Sequence, residues 1–249
     1  MREAERMVRI VNNPIYEPKG AAGEYCHWAI NPYLGCNHGC YYCYGPSVLH
    51  RSHEEYMNVQ QRPGLLQALK KQLSSGTFKN EMIHIGFVCD PYPADTDTTP
   101  TREIIKIIKD SGNHVQILTK GGERASRDYD LLGEGDTFGV TISCSEEMRL
   151  EVEPNAAPIY ERILSLKFAK NHGIKTWISA EPVLEPKMIY DLIEAINYID
   201  LYKIGKLNYH PSDINWKEFG QKCEALCKQH RRNYMIKEAL KIEMGKTGK

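Results

Sequence analysis

The feature that most constrains this chain is an alternation of short apolar runs with longer amphipathic ones. Runs with the composition of buried strands occupy 25–30, 82–88, 114–121, 137–143, 175–180 and 201–205. Between them Leu65, Leu66, Leu69 and Leu73 recur at helical spacing behind Pro63, and 99–110 sets Ile104, Ile105, Ile107 and Ile108 facing inward. Residues 111–113 end that helix, 125–132 reads as helical, and Ile159, Ile163, Leu166 and Phe168 mark a longer helix ended at 171–173. A further helix is expected over 187–198. The units recur every roughly 25–30 residues, the pattern of a parallel sheet with right-handed crossovers. Six units fold either as a partial barrel or as a doubly wound sheet, and periodicity does not separate the two. In both, functional side chains belong at the carboxyl ends of the strands.

The loop after the first run carries Cys36, Cys40 and Cys43 in a C-x3-C-x2-C spacing, broken by Gly35 and Gly39. Thiolates this close in sequence turn toward a common centre and suit iron–sulfur clusters or zinc. On ligand chemistry alone, a structural zinc with His38 or a distant cysteine as fourth ligand is as good a reading as a cluster. Two features favour the cluster. Cys26, Cys89, Cys144, Cys223 and Cys227 supply no second arm at close spacing, and His38 sits inside the tight loop, where it is expected to point away from the metal. Three cysteines on a four-iron cluster leave one iron open to a small molecule. The other strand ends carry Cys89-Asp90-Pro91-Tyr92, 119–123 with Lys120, Ser143-Cys144-Ser145, 179–182 with Ala180, and 206–210 with Leu207.

This triad, with the aromatic Tyr42 before its last cysteine, resembles the radical S-adenosylmethionine (SAM) superfamily. The longer run over 35–44, Gly-Cys-Asn-His-Gly-Cys-Tyr-Tyr-Cys-Tyr, resembles its spore photoproduct lyase-like branch. The resemblance implies a partial (β/α)6 TIM-type barrel and a [4Fe-4S] cluster held by Cys36, Cys40 and Cys43. It further implies reductive cleavage of SAM to a 5′-deoxyadenosyl radical that takes a hydrogen atom from a substrate, with electrons from an external flavodoxin- or ferredoxin-type donor. Lys120 and Ser143 match the lysine and serine that meet the SAM carboxylate, and the backbone near Tyr42 meets the adenine. Asp90 or the Cys89 backbone is read as receiving the ammonium, with Ala180 and Leu207 flanking the adenine. Cys89 is a candidate hydrogen donor, as is Cys144. The lyase carries its cysteine on the second strand, where this chain has Gly86 and reaches Cys89 about three residues later, a departure that counts against DNA-lesion repair. Tyr42 and Tyr44 resemble the lyase tyrosines beside the cluster, so Tyr44 is a candidate radical relay.

A chain of 249 residues accommodates one large α/β domain, read as an arm over 1–24, a core over 25–212 and a helical segment over 213–249. Lys+Arg and Asp+Glu both number 32, so no global basic field gathers nucleic acid. That balance favours a peptide or protein substrate, with nucleic-acid modification as the alternative and a non-enzymatic zinc or iron–sulfur protein as the reading from another class. No apolar run approaches the roughly 20 residues that span a bilayer, and 1–6 lacks the apolar stretch of a signal peptide, so a cytoplasmic location is expected. Eight cysteines there argue for reduced thiols rather than disulfides. Cys26, Cys223 and Cys227 read as small core residues, and the basic residues of 229–234 and 237–249 as solvated surface.

Overall fold

The computed structural model describes residues 12–246, so the first eleven residues of the expected arm and the last three of the basic tail lie outside the described residues. In chain order the first elements are β1 (Trp28–Ile30), β2 (Tyr33–Leu34), α1 (Gly45–Leu49), α2 (His53–Met57), β3 (Gln60–Gln61) and α3 (Leu65–Leu73). Next come β4 (Met82–Ile85), α4 (Thr99–Asp110), β5 (His114–Thr119), a 3-10 stretch (Gly122–Leu131), β6 (Thr137–Thr141), α5 (Glu146–Val152) and α6 (Ile159–Asn171). The chain closes with β7 (Lys175–Ala180), α7 (Pro186–Ala195), β8 (Leu201–Ile204), α8 (Trp216–Gln229), β9 (Tyr234–Ile236) and α9 (Glu238–Glu243).

The main sheet has seven strands in the order β1-β4-β5-β6-β7-β8-β9, and every neighbouring pair is parallel. A doubly wound sheet reverses its strand order at a switch point, and this one does not. Winding in one direction keeps the helices on one face and curls the sheet, which makes it a partial TIM-type barrel. Register shows the division of faces. Ile83, Ile85, Val115, Ile117, Phe138, Val140, Ile178, Tyr202 and Ile204 are buried in one core cluster with Leu65 and Leu69 of α3, Ile104, Ile105 and Ile108 of α4, and Phe219 of α8. Each such side chain contributes roughly 1.5–3 kcal/mol by leaving water. The alternate positions on the other face are His84, Gln116, Thr137, Gly139, Trp177, Ser179 and Lys203, aligned across β4 to β8.

Several elements depart from the sequence expectation. The sheet gains a seventh strand, β9, paired Tyr202↔Tyr234 through Ile204↔Ile236, inside the segment expected to be helical. Its three residues follow a basic stretch that reads as surface, but Arg232 is spent on the carbonyls of Ile193 and Glu194 at 3.0 and 3.2 Å. The first strand begins at Trp28, because Tyr25 follows a 3-10 turn (Gly20–Glu24) and turns its ring inward. The arm is packed: Ile15 is buried and exchanges two 2.8 Å hydrogen bonds with Gln72 of α3. Residues 45–57 hold α1 and α2, the second started by a capping box of Ser52 and Glu55. No helix among the described residues is long and apolar enough to cross a membrane.

Candidate active site

The cysteine loop leaves β1 through Asn31, whose buried side chain binds two loops at once. Its Oδ1 accepts from the Phe87 and Val88 amides at 2.8 and 3.0 Å, and its Nδ2 donates to the Tyr16 hydroxyl at 2.8 Å. The cysteine loop is thereby pinned to the loop after β4. On one flank the Cys36 amide donates to the Tyr56 carbonyl at 3.0 Å, with Gly35 at φ +117 lying so close that a Cβ would sit 2.3 Å from that oxygen. On the other flank the Tyr41 amide reaches Val152 at 3.1 Å and the Asn155 amide reaches the His38 carbonyl at 3.1 Å. Glycine at φ +73 lets the turn at Gly39 form between them.

Cys40 is buried, and Cys36 and Cys43 are half-buried. Burial, followed by the Asp90 charge, raises the Cys36 pKa, to which the Cys40 and Cys43 thiolates add; burial lifts Cys40 to about 12. The three sulfurs therefore share one electrostatic environment. The Gly45 amide donates to Cys43 Sγ at 3.4 Å, and the Cys43 thiol lies 3.6 Å from the Tyr56 hydroxyl, whose own proton goes to the Val88 carbonyl at 3.1 Å. Among the described residues no three His, Cys, Asp or Glu side chains converge closely enough to hold one metal ion. His38 is engaged elsewhere. Arg124 Nη2, which can only donate, sits 3.0 Å from His38 Nε2, so the ring proton is on Nδ1, 3.5 Å from Asp90 Oδ2. Burial lowers the His38 pKa to about 4, keeping the ring neutral.

The other candidates meet this loop from four strand ends. Tyr42 is buried, and its hydroxyl donates to Glu153 Oε1. Ser143 Oγ, 3.2 Å away, then donates to the Tyr42 oxygen. Glu153 is itself fully buried and takes Arg162 Nη2 on Oε2 at 2.5 Å, while the Arg162 Nε and Nη1 bond the Ala157 and Thr141 carbonyls. Lys120 Nζ stands 5.4 Å from the centre of the Tyr42 ring and has no hydrogen bond or ion pair among the described residues. Burial acts to lower its pKa, but the charges of Cys40 and Glu153 outweigh that and raise it, so the ammonium persists. Leu207 packs on Cys40 and Tyr42. Ala180 is buried behind the rim, its carbonyl taking the Gly205 amide at 2.9 Å.

Asp90 ties β4 to β5. Oδ1 accepts from the Tyr92 amide at 2.8 Å and from Thr119 Oγ1 at 2.5 Å, and Oδ2 accepts from the Lys120 amide at 2.8 Å. Cys89 is buried, its thiol 4.0 Å from Asn31 Oδ1 and its pKa pushed up to about 12 by burial. Tyr44 is 43% exposed and its hydroxyl donates to the Phe87 carbonyl at 2.5 Å, so from the cysteine loop it touches the loop after β4 that carries Cys89. The sequence reading missed Glu153 and Arg162. Glu153 follows the end of α5 and Arg162 lies within α6, and neither lies in a recognisable motif.

No protein-family model matches the chain. The chain is 30% identical over 196 residues to the uncharacterized protein MJ0683 of Methanocaldococcus jannaschii, covering 74% of this chain and 72% of that protein. It belongs to the MJ0683 family. The family likeness extends to the uncharacterized protein ORF301 of Acidianus two-tailed virus, 28% identical over 194 residues that cover 72% of this chain and 64% of that one. In fold the chain matches a mutant spore photoproduct lyase with bound AdoMet and dinucleoside spore photoproduct, at TM-score 0.68 and 13% identity over 93% of this chain and 79% of that one. It also matches Streptococcus suis SuiB bound to S-adenosylmethionine, at TM-score 0.59 and 14% identity over 84% and 46% of the two chains. The fold is thus that of the lyase which the cysteine loop resembles.

Proposed function

We propose that the protein is a radical SAM enzyme, with Cys36, Cys40 and Cys43 holding a [4Fe-4S] cluster. The observation that carries this is the pairing of three thiols on one rim loop with an unpartnered Lys120 ammonium above the Tyr42 ring. Such a cluster with SAM supplies one-electron cleavage of the sulfonium to methionine and a 5′-deoxyadenosyl radical. Lys120 binds the SAM carboxylate, an ion pair with few competitors at that rim. Ser143 reaches the same region through Tyr42, and the Glu153–Arg162 pair fixes the Tyr42 phenol so that the loop backbone beside it keeps its place. The Asp90 oxygens already accept three hydrogen bonds, which leaves the Cys89 carbonyl as the acceptor for the ammonium. Leu207 and Ala180 supply apolar surface for the adenine. Cys89 returns a hydrogen atom to the product radical and Tyr44 relays it.

The substrate reading is a peptide or protein. A formal net charge of zero supports it, since a polyanion has no long-range field to follow. The electron donor is an external flavodoxin- or ferredoxin-type protein, and the location is cytoplasmic. The test is anaerobic: SAM and a strong reductant added to the iron-reconstituted protein give 5′-deoxyadenosine and methionine. Absence of both from a protein carrying its iron contradicts the reading.

A further inference from the structure

A second feature lies beside the cysteine loop. A cavity of about 310 Å³ opens between the arm, α1 and the loop after β4, and Asn13, Tyr16, Asn31, Val48, Arg62 and Val88 are among its lining residues. Among the described residues no Asp or Glu lines it. Arg62 is half-buried and spends its Nε on the Tyr33 carbonyl at 3.2 Å, while its two Nη groups bond no described residue. The Tyr16 hydroxyl accepts from Asn31 Nδ2, and its own proton has no acceptor among the described residues. Asn31 Oδ1 is occupied by the Phe87 and Val88 amides. The described walls therefore offer donors and a cation with no counter-charge among the described residues. Burial pulls the Arg62 pKa down, the cost of a cation that lacks an anion.

We propose that this cavity is the subsite for a carboxylate of a peptide substrate, gripped by the free fork of Arg62. As a substrate subsite it rests on the radical SAM reading; as an anion site it stands without it. A planar guanidinium takes a carboxylate through two parallel hydrogen bonds. The volume is near the lower end of ligand pockets, roughly 300–1,000 Å³, and admits one side chain rather than a run of phosphates. The cavity also adjoins the chemistry. Asn31 and Val88 line it, and the Cys89 thiol lies 4.0 Å from Asn31 Oδ1, so a carboxylate held by Arg62 places the attached chain beside that thiol.

The test needs neither SAM nor reductant, so it is independent of whether the enzyme cleaves SAM, which deoxyadenosine formation decides separately. Ligand-observed NMR on the reconstituted protein measures binding of blocked glutamate (N-acetyl, N′-methylamide), blocked glutamine and inorganic phosphate. Blocked glutamate is expected to bind saturably and at least tenfold more tightly than blocked glutamine, and Arg62→Gln to remove that preference. Because Arg62 also bonds Tyr33, Val48→Trp provides a second arm: it fills the cavity mouth from an exposed position, leaves that bond in place and weakens glutamate binding by a similar factor. Equal binding of glutamate and glutamine, phosphate binding more tightly than glutamate, or glutamate binding unchanged in both variants overturns the proposal.

Discussion

The helix-covered side of the seven-stranded sheet carries Ile83, Ile85, Ile117, Val140 and Ile204, and the other side carries His84, Gln116, Trp177, Ser179 and Lys203 on the same strands. The contrast extends to the cysteines. Cys223 and Cys227 of α8 are wholly buried in the apolar core, while Cys36, Cys40 and Cys43 sit on a rim loop where the Gly45 amide donates to Cys43 sulfur. Polar groups on the open side are also left unmatched: among the described residues His84 Nε2, Trp177 Nε1 and the Lys120 ammonium have no hydrogen-bond partner. An apolar side is complete once packed. The open side and its rim hold charges and donors that a ligand can satisfy, and that is the physical sense in which one side stabilises and the other acts.

The sharpest way to break this comparison is to exchange the roles of the cysteines. Cys36→Ala is expected to remove the iron and reduce deoxyadenosine formation to background, read by iron analysis and chromatography. Iron retained at wild-type level would dissolve the distinction. Lys120→Ala is expected to weaken SAM binding by about 10- to 100-fold, the loss of one hydrogen-bonded charge pair at roughly 1.5–3 kcal/mol, measured by equilibrium binding to the reconstituted protein. Lys120→Arg should recover part of it.

The open face also makes a prediction in pH. Burial lowers the His84 pKa to about 3, against 6.5 in the unfolded chain. As the pH falls below about 6.5 the unfolded state takes up this proton first, so stability declines with falling pH down to about 3. At pH 5 the loss from this residue is about 2 kcal/mol relative to pH 8, read by chemical denaturation. His84→Gln should flatten that slope. The smallest effect belongs to the covered side: Cys227→Ala is expected to cost about 1 kcal/mol of stability and to leave iron content and SAM cleavage unchanged.

The architecture was legible because strand and helix periods differ and because the six apolar runs are strong; the decision for a partial barrel over a doubly wound sheet needed the strand order. The spacing of Cys36, Cys40 and Cys43 puts all three on one rim loop, and that placement is what the sequence could give; their role as ligands is the proposal. Tyr42, Ser143, Lys120 and Leu207 do come together; strand-end position pointed to Lys120, Ser143 and Leu207, while Tyr42 came from the resemblance of the cysteine loop. Glu153 and Arg162 were not legible, because a buried ion pair nine residues apart leaves no periodic or compositional trace. β9 escaped for a related reason: the arginine before it looks solvated in sequence and is in fact spent on two carbonyls of the chain near the end of α7. Tyr25 was placed in a strand, but its ring packs against His84, Phe87 and Trp177, and its hydroxyl lies 2.8 Å from Ser179 Oγ and 2.7 Å from Glu181 Oε2.

The central claim is that the three rim thiols hold a four-iron cluster with one iron left for SAM. The most direct measurement is electron paramagnetic resonance of the anaerobically reconstituted, reduced protein with and without SAM, alongside metal analysis. About four irons per chain and a spectrum that shifts when SAM is added are the predicted result. One zinc per chain, or a cluster spectrum indifferent to SAM, would contradict it.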